Sequence, residues 1–197
     1  GGALVPGDLL GGIEIVEGET SAVEYDAPVG EPARITLQLS PSIPSGASAQ
    51  VSLVRTDHSK SRTTETGSGS SFGPFVVEAG TYDVWMCGDD WTAVHQGVVL
   101  AEDEQRTETI EVALESRDVR FTVDGAAVPG TTIQIDGAVF HPRTDAQGIA
   151  TLRLGPGSYF VSCSHGEPGA DPGFYMATIE WPLAAGVDEI TLAGFGD

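Results

Sequence analysis

The chain has 197 residues, a formal net charge of −20 and 40% hydrophobic residues. A surface this acidic repels phosphate groups, which argues against nucleic-acid binding and against attachment to anionic lipid. No apolar run reaches the roughly 20 residues that a membrane-spanning helix requires. We therefore expect a globular protein whose partners are neither nucleic acid nor the membrane interior, and whose charge keeps it in solution.

Residues 1–30 are predicted to be an irregular leader that contains one strand. In GIEIVEG (residues 12–18), Ile13 and Ile15 lie on one side of the alternating pattern and Glu14 on the other. Such a strand can pair with the open sheet edge of a neighbouring copy and build a filament, because edge N–H and C=O groups are unpaired. The alternative is that it pairs with the first domain of its own chain. Ile13 and Ile15 are therefore candidate interaction residues.

One sequence motif, which we call the repeated phrase, occurs twice in the chain. FVVEAGTYDVWM (residues 75–86) and ATLRLGPGSYFVSC (residues 150–163) each pass from an alternating strand through a Gly-containing turn to a Tyr and a second strand. Tyr82 and Tyr159 are 77 residues apart (159 − 82 = 77), which predicts two small β-domains rather than one large enzyme fold. No segment has a sustained helical period. We predict an all-β chain of two tandem antiparallel β-sandwiches, residues 31–115 and 116–197, after the leader 1–30.

The second copy of the phrase carries a resemblance to a known family. TDAQGIATLRLGPGSYFVSC (residues 144–163) has a Thr-Asp turn, an alternating strand, a Pro-Gly turn and a Tyr before a hydrophobic strand. It resembles the prealbumin-like domains called carboxypeptidase regulatory-like and Cna-B-like, over residues 117–197, and the first domain resembles them around residues 75–86. The resemblance implies Ig-like sandwiches that serve as spacers, stalk modules, pilin segments or appendages of secreted hydrolases. It therefore implies an extracellular or cell-surface location.

Residue parity assigns faces to the strands that follow the two tyrosines. Counted from Tyr82, Trp85 and Cys87 lie on the side away from the core, whereas Cys163 shares the inward side with Tyr159. An outward Trp85 indicates contact with the second domain, the leader or another subunit. Buried free thiols are favoured over a bridge between Cys87 and Cys163, given the narrow distance limits of disulfide geometry.

Acidic turns are the candidate metal sites. Asp89 and Asp90 follow the first tyrosine strand, and Glu167 and Asp171 lie in the corresponding loop after the second. Loop carboxylates bind calcium, although calcium takes six to eight oxygens and the sequence has no dense ligand string. Calcium at Asp89 and Asp90 is thus the one candidate cofactor. The histidines lack the paired spacing of zinc ligands; they are His58, His95, His141 and His165.

Catalysis is not predicted. Residues 69–73 (GSSFG) fit the letters G-x-S-x-G, but a nucleophile elbow needs a strand before the serine and a helix after it. Here the flanking residues predict a Gly/Ser-rich loop over residues 64–73 that leads into a strand.

Aromatic side chains offer a second type of site. They could form a platform for sugar rings, and the alternative is core or interdomain packing; the residues are Trp85, Trp91, Trp181, Tyr175 and Phe174. Trp91, next to the acidic turn, is the remaining candidate interaction residue together with Trp85.

Together these features predict a non-enzymatic extracellular structural protein. It would be a subunit or stalk module of a filament, pilus-like or adhesin assembly, and its partners would be other copies of itself or surface proteins. The alternative is a carbohydrate-binding or accessory module of a secreted hydrolase, with a glycan as the partner.

Overall fold

The computed structural model describes residues 30–56, 61–166 and 173–194. In these ranges the chain forms strands, turns and bends and contains no helix, so the predicted all-β class is confirmed. The strands are β1 (Ala33–Ile43), β2 (Ala49–Arg55), β3 (Arg62–Gly67), β4 (Gly69–Val77), β5 (Gly80–Cys87), β6 (Thr92–Leu100), β7 (Gln105–Glu111), β8 (Glu115–Val123), β9 (Ala126–Ala127), β10 (Gln134–Ile135), β11 (Ile149–Leu154), β12 (Gly157–His165), β13 (Gly173–Trp181) and β14 (Glu189–Gly194).

Two sheets contain these strands. The smaller has the order β4-β1-β7, with β1 antiparallel to β4 and parallel to β7. The larger has the order β10-β12-β13-β14-β8-β11-β6-β5-β2-β3, and β9 pairs with β8 beside it. Alternation explains most of the strands: in β1, for example, Ile35, Leu37 and Leu39 are buried and point to one face.

The first hydrophobic cluster lies between the two sheets. Its buried side chains come from β1, β4 and β7 on one side and from β2, β5 and β6 on the other. Two sheets that bury their apolar faces against each other are the packing expected of a β-sandwich. Tyr82 and Phe72 are the largest fully buried side chains in this cluster.

The second hydrophobic cluster draws its strand residues from the larger sheet alone. They come from β8, β10, β11, β12, β13 and β14, with one residue, Val94, from β6. Because a single sheet lines this cluster, the sheet has to curl around it. Tyr159 and Phe121 are its largest fully buried side chains.

The larger sheet joins the two clusters without interruption. Leu154 at the end of β11 pairs in parallel with Thr92 at the start of β6, and this bridge connects the strands around the two clusters. The division into two tandem sandwiches, at 115/116, stays a prediction, because the strand pairing runs through both halves of the chain.

The prediction of a loop over residues 64–73 was wrong. Residues 62–67 form β3 and residues 69–77 form β4. Arg62 to Thr66 are all exposed, and among the described strands β3 is the last of its sheet and pairs only with β2. A strand with no buried face has no apolar alternation, so its sequence reads as a polar loop.

Candidate functional site

Strands β5 and β6 contribute side chains to both hydrophobic clusters. In β5, Val84 and Met86 belong to the first cluster, whereas Trp85 between them packs against the second. In β6, Ala93 belongs to the first cluster and Val94 to the second. These two strands therefore form a wall that is apolar on both faces, as strands in the interior of a protein are.

Side chains of this wall meet the second half of the chain directly. The rings of Trp85 and Tyr159 lie edge to face, with centroids 6.0 Å apart and planes at 80°. The Cys87 Sγ donates a hydrogen bond to the carbonyl oxygen of Gly137 at 3.1 Å. We call this group, Trp85, Cys87, Val94, Gly137 and Tyr159, the intercluster contact.

Two glycines permit the close approach. A Cβ at Gly137, whose φ is +76°, would lie 2.4 Å from Cε3 of Trp85. A Cβ at Gly157 would lie 2.5 Å from Cγ1 of Val94. Backbone bonding adds to the contact, because the Gly155 N–H donates to the Thr92 carbonyl at 2.9 Å. Side-chain packing and main-chain hydrogen bonding therefore both hold the two halves together at the intercluster contact.

Trp85 and Cys87 point away from the first cluster, as their parity predicts. Of the three partners left open for Trp85 by the sequence, the second half of the chain is the one it touches in the described structure. Both cysteines are buried and free. Burial raises the pKa of the Cys87 thiol and of the Cys163 thiol, because desolvation disfavours the thiolate.

The acidic turn at Asp89 and Asp90 is exposed. Arg153 Nη1 donates to both carboxylate oxygens of Asp90, at 3.1 and 2.9 Å. Across the described ranges no group of three or more His, Cys, Asp or Glu residues is positioned to hold a metal ion. Two carboxylates, one of them paired with a guanidinium, offer far fewer oxygens than calcium takes. Glu167 and Asp171 lie outside the described residues, as do Ile13 and Ile15.

The predicted aromatic platform is not brought together. Trp181 is buried in the second cluster, Tyr175 is half-buried against it, and Trp91 packs against the first cluster. Phe174 alone among the five proposed aromatics is well exposed, at 43%. Four of the five aromatic residues therefore follow the packing alternative, and Phe174 belongs to an exposed surface.

A different set of residues forms a groove on the outer face of β10, β12 and β13. Phe160, 38% exposed, lies on β12 between the buried Tyr159 and Val161, and Phe174 lies on the neighbouring strand β13. The groove has a volume of about 440 Å³. We call it the aromatic groove and define it by Gln134, Asp136, His141, Phe160, Ser162 and Phe174.

Sequence reasoning missed Phe160, although a signal was present. Tyr159 and Val161 face inward, so the residue between them has to face outward, and an outward Phe is unusual on a sheet. Gln134 and Asp136 reach the same groove because β10 pairs with β12 through Gln134 and Ser162. That pairing joins residues far apart in sequence and leaves no local pattern.

The remaining sequence candidates are dispersed. Ser71 lies in β4, where Gln38 Nε2 donates to its Oγ at 3.0 Å, and no helix follows it in the described chain. His95 lies 3.3 Å from Glu108, and His165 Nδ1 is 3.4 Å from the Thr131 hydroxyl. His58 is outside the described residues.

Comparisons with known proteins add little to these observations. The sequence matches no family model and no curated protein. Among solved structures, the chain is similar to the Bacillus anthracis TIE protein, at 14% identity and a TM-score of 0.33 over 83% of this chain and 34% of that one. It is also similar to a candidate adhesin from Bacteroides ovatus, at 10% identity and a TM-score of 0.29 over 82% of this chain and 87% of that one. TM-scores this low do not establish a shared fold.

The chain spans about a third of the length of the Bacillus anthracis protein. Separately, the described ranges contain no helix with the length and apolar character needed to cross a bilayer.

Proposed function

We propose that the protein is a non-enzymatic extracellular structural module, a subunit or stalk element of a surface assembly. In this proposal, residues 31–115 and 116–197 are two tandem prealbumin-like sandwiches. The observation that supports it is the intercluster contact, in which the halves share strands β5 and β6 rather than a linker alone.

A shared wall suits a module that has to hold its shape. Domains joined only by a linker move relative to each other unless their interface is large and apolar. Here the Trp85–Tyr159 ring pair, the Cys87–Gly137 hydrogen bond and a backbone hydrogen bond all cross between the halves. A spacer benefits from this stiffness, because it keeps the ends of the module at a fixed separation and orientation.

The sheet edges suggest how copies would join. In the described structure, β7 pairs only with β1 and β3 pairs only with β2, so each presents a row of backbone groups on its outer side. An added strand from a second copy satisfies such groups by β-augmentation. The leader strand with Ile13 and Ile15 is the proposed donor.

The assembly proposal is tested on the purified full chain by light scattering and negative-stain electron microscopy over a range of concentrations. We expect oligomers or filaments with the intact chain and monomers after deletion of residues 1–24. The double variant Ile13→Asp/Ile15→Asp should also be monomeric, whereas Glu14→Gln on the opposite side of the same segment should still assemble. A full chain that stays monomeric at high concentration would contradict the subunit function, and unchanged polymers after the deletion would contradict the role of the leader.

A second candidate function is carbohydrate binding, as an accessory module of a secreted hydrolase. The aromatic groove favours it, because two exposed Phe rings there are accompanied by polar side chains. A glycan array separates this function from the first, since it reads binding without assembly.

A further inference from the structure

We propose that the aromatic groove is a binding site for a neutral saccharide. This inference rests on the second candidate function and does not depend on the first. It names the site, to which Phe174 is the one contributor among the five aromatic residues predicted from the sequence.

The shape and size of the groove suit a small ligand. Binding sites for small molecules are concave and have volumes of roughly 300–1,000 Å³. The groove, at about 440 Å³, is within that range. Its floor is regular sheet: Ser162 pairs with Gln134 on one side and with Met176 on the other. A site on paired strands keeps its residues in fixed positions.

The lining combines the two chemistries that a sugar ring presents. Phe160 and Phe174 offer apolar faces for the C–H side of a pyranose ring, and both are exposed to solvent. Gln134 and Asp136 are exposed and carry hydrogen-bonding groups suited to hydroxyls, whereas Ser162 is buried and belongs to the floor. Exposed aromatic rings cost free energy in water, so a ligand that covers them is favoured.

The polar groups are held by their neighbours. Asp136 Oδ1 accepts the Gly137 N–H at 3.0 Å, and the Asp136 N–H donates to the Phe160 carbonyl at 2.9 Å. His141 Nδ1 lies 3.5 Å from the Ile135 N–H, which directs the ring toward β10. A carboxylate accepts about four hydrogen bonds. Asp136 therefore retains acceptor capacity for sugar hydroxyls.

Charge selects a neutral ligand over an acidic one. Among the described residues that line the groove, Asp136 is the one carboxylate, and none is a Lys or Arg. The whole chain carries −20. A uronate, sulfate or sialic acid would meet repulsion without a cationic partner. A hydroxyl-rich neutral sugar avoids that repulsion and uses the acceptors.

The test uses the full chain with soluble cellohexaose, maltohexaose, xylohexaose and chitohexaose as neutral probes, and with polygalacturonate and heparin as anionic ones. Binding is followed by calorimetry and by amide chemical shifts. We expect saturable binding of at least one neutral probe, with shifts centred on β10, β12 and β13. Phe160→Ala and Phe174→Ala should each weaken it about tenfold, the effect of losing roughly 1.4 kcal/mol of ring contact.

The chain offers a matched control. Phe140 has the same exposed fraction as Phe160, 38%, but lines a separate crevice, so Phe140→Ala should leave the affinity unchanged. Phe160→Trp should preserve binding, because a larger ring remains at the position. Thermal melts of all variants establish that each is folded.

Three results would overturn the proposal. Neutral sugars that bind equally well to the Phe160→Ala and Phe174→Ala variants would leave the carbohydrate function standing but remove the groove as its site. Absence of binding to every neutral probe would remove both. Self-association of the wild type that the two Phe→Ala variants abolish, without sugar binding, would assign the groove to a protein interface.

Discussion

At the scale of single residues, each half of the chain contains the same kind of hydrogen bond. The Tyr82 hydroxyl donates to the Glu78 carbonyl at 2.7 Å, and the Tyr159 hydroxyl donates to the Gly155 carbonyl at 2.8 Å. In each case the acceptor lies four residues before the tyrosine, and both rings are fully buried. The bond satisfies a hydroxyl that burial would otherwise isolate, so each half can hold a Tyr in its hydrophobic core.

This bond predicts the effect of two substitutions at one position. Tyr159→Phe should lower the free energy of unfolding by about 1–3 kcal/mol, because the Gly155 carbonyl loses its partner in a buried place. Tyr159→Ala should lower it by about 3–5 kcal/mol, because the ring also vacates the second cluster. Urea denaturation measures both. Tyr175→Phe, at a half-buried position, is the control with the smaller expected loss, and a cost below about 1 kcal/mol for Tyr159→Ala would contradict the inward assignment.

The buried thiols and the buried tyrosine hydroxyl predict how the free energy of unfolding changes with pH in the alkaline range. Desolvation raises the pKa of Tyr159 above its usual 10.0 and the pKa of both cysteines above 9.0 in the folded state. Above those values the unfolded chain loses protons that the folded chain keeps, so the free energy of unfolding falls as pH rises. Below pH 9.0 the contribution of these groups is fully present.

The measurement is a series of urea denaturations across the alkaline range. In the variant Cys87→Ala/Cys163→Ala, the decline attributable to the thiols disappears, and its onset should move from near 9.0 toward 10.0, where Tyr159 begins to contribute. An identical slope between these pH values in the wild type and the double variant would contradict the assignment of raised pKa to the thiols.

At the scale of secondary-structure elements, one dipeptide adopts two different turns. Asp124 and Gly125 both have positive φ, 51° and 76°, which is the type I′ turn of a two-residue hairpin between β8 and β9. At Asp136-Gly137 only the glycine has a positive φ, and the Ala138 N–H donates to the Ile135 carbonyl, as in a type II turn. An Asp-Gly pair between alternating segments is the usual sequence signal of a type I′ turn, but Asp136-Gly137 does not form one.

The difference has a tertiary cause that local sequence cannot carry. The Gly137 carbonyl accepts the Cys87 thiol, and the Asp136 N–H donates to Phe160. Both partners are distant in sequence. By contrast, the alternation of β12 predicted correctly that Tyr159, Val161 and Cys163 are buried. The buried face of a single strand could be predicted from the sequence. The long-range pairs that form the intercluster contact and the aromatic groove could not.

The two turns provide a matched pair of substitutions. Both glycines have φ of +76°, but a Cβ at Gly125 meets nothing within 4 Å, whereas one at Gly137 lies 2.4 Å from the Trp85 ring. Gly125→Ala should cost about 1–2 kcal/mol, the strain of a left-handed alanine. Gly137→Ala should cost about 1–3 kcal/mol more, from overpacking against Trp85. Thermal and urea unfolding measure the difference, and equal costs would show that the contact with Trp85 tolerates an added methyl group.

At the scale of the whole molecule, the sequence predicted the strand-rich architecture but not its continuity. The repeated tyrosine phrase occurs once in each cluster, Tyr82 in the first and Tyr159 in the second. The join between the halves depends on the pairing of Leu154 with Thr92 and on β5 and β6 being apolar on both faces. Those contacts are long-range, and periodicity within a segment reports only which face of a strand is buried.

The continuity predicts that the two clusters unfold together. The wild type should show one calorimetric transition, with a van't Hoff enthalpy close to the calorimetric enthalpy. Trp85→Ala removes the ring that lies against Tyr159 while leaving the Val84 and Met86 side chains of the first cluster in place. We expect this variant to unfold in two transitions, or with a calorimetric enthalpy well above the van't Hoff value, because the coupling between the clusters is weakened. Phe72→Ala is the control, since Phe72 is buried in the first cluster on β4, away from β5 and β6, and its loss should lower the transition temperature without dividing the transition. A single, fully cooperative transition in Trp85→Ala would mean that the contacts left in place, which are the backbone bridge, the Cys87–Gly137 hydrogen bond and Val94, are enough to couple the halves. Division in the Phe72 variant as well would mean that Trp85 has no special part in the coupling.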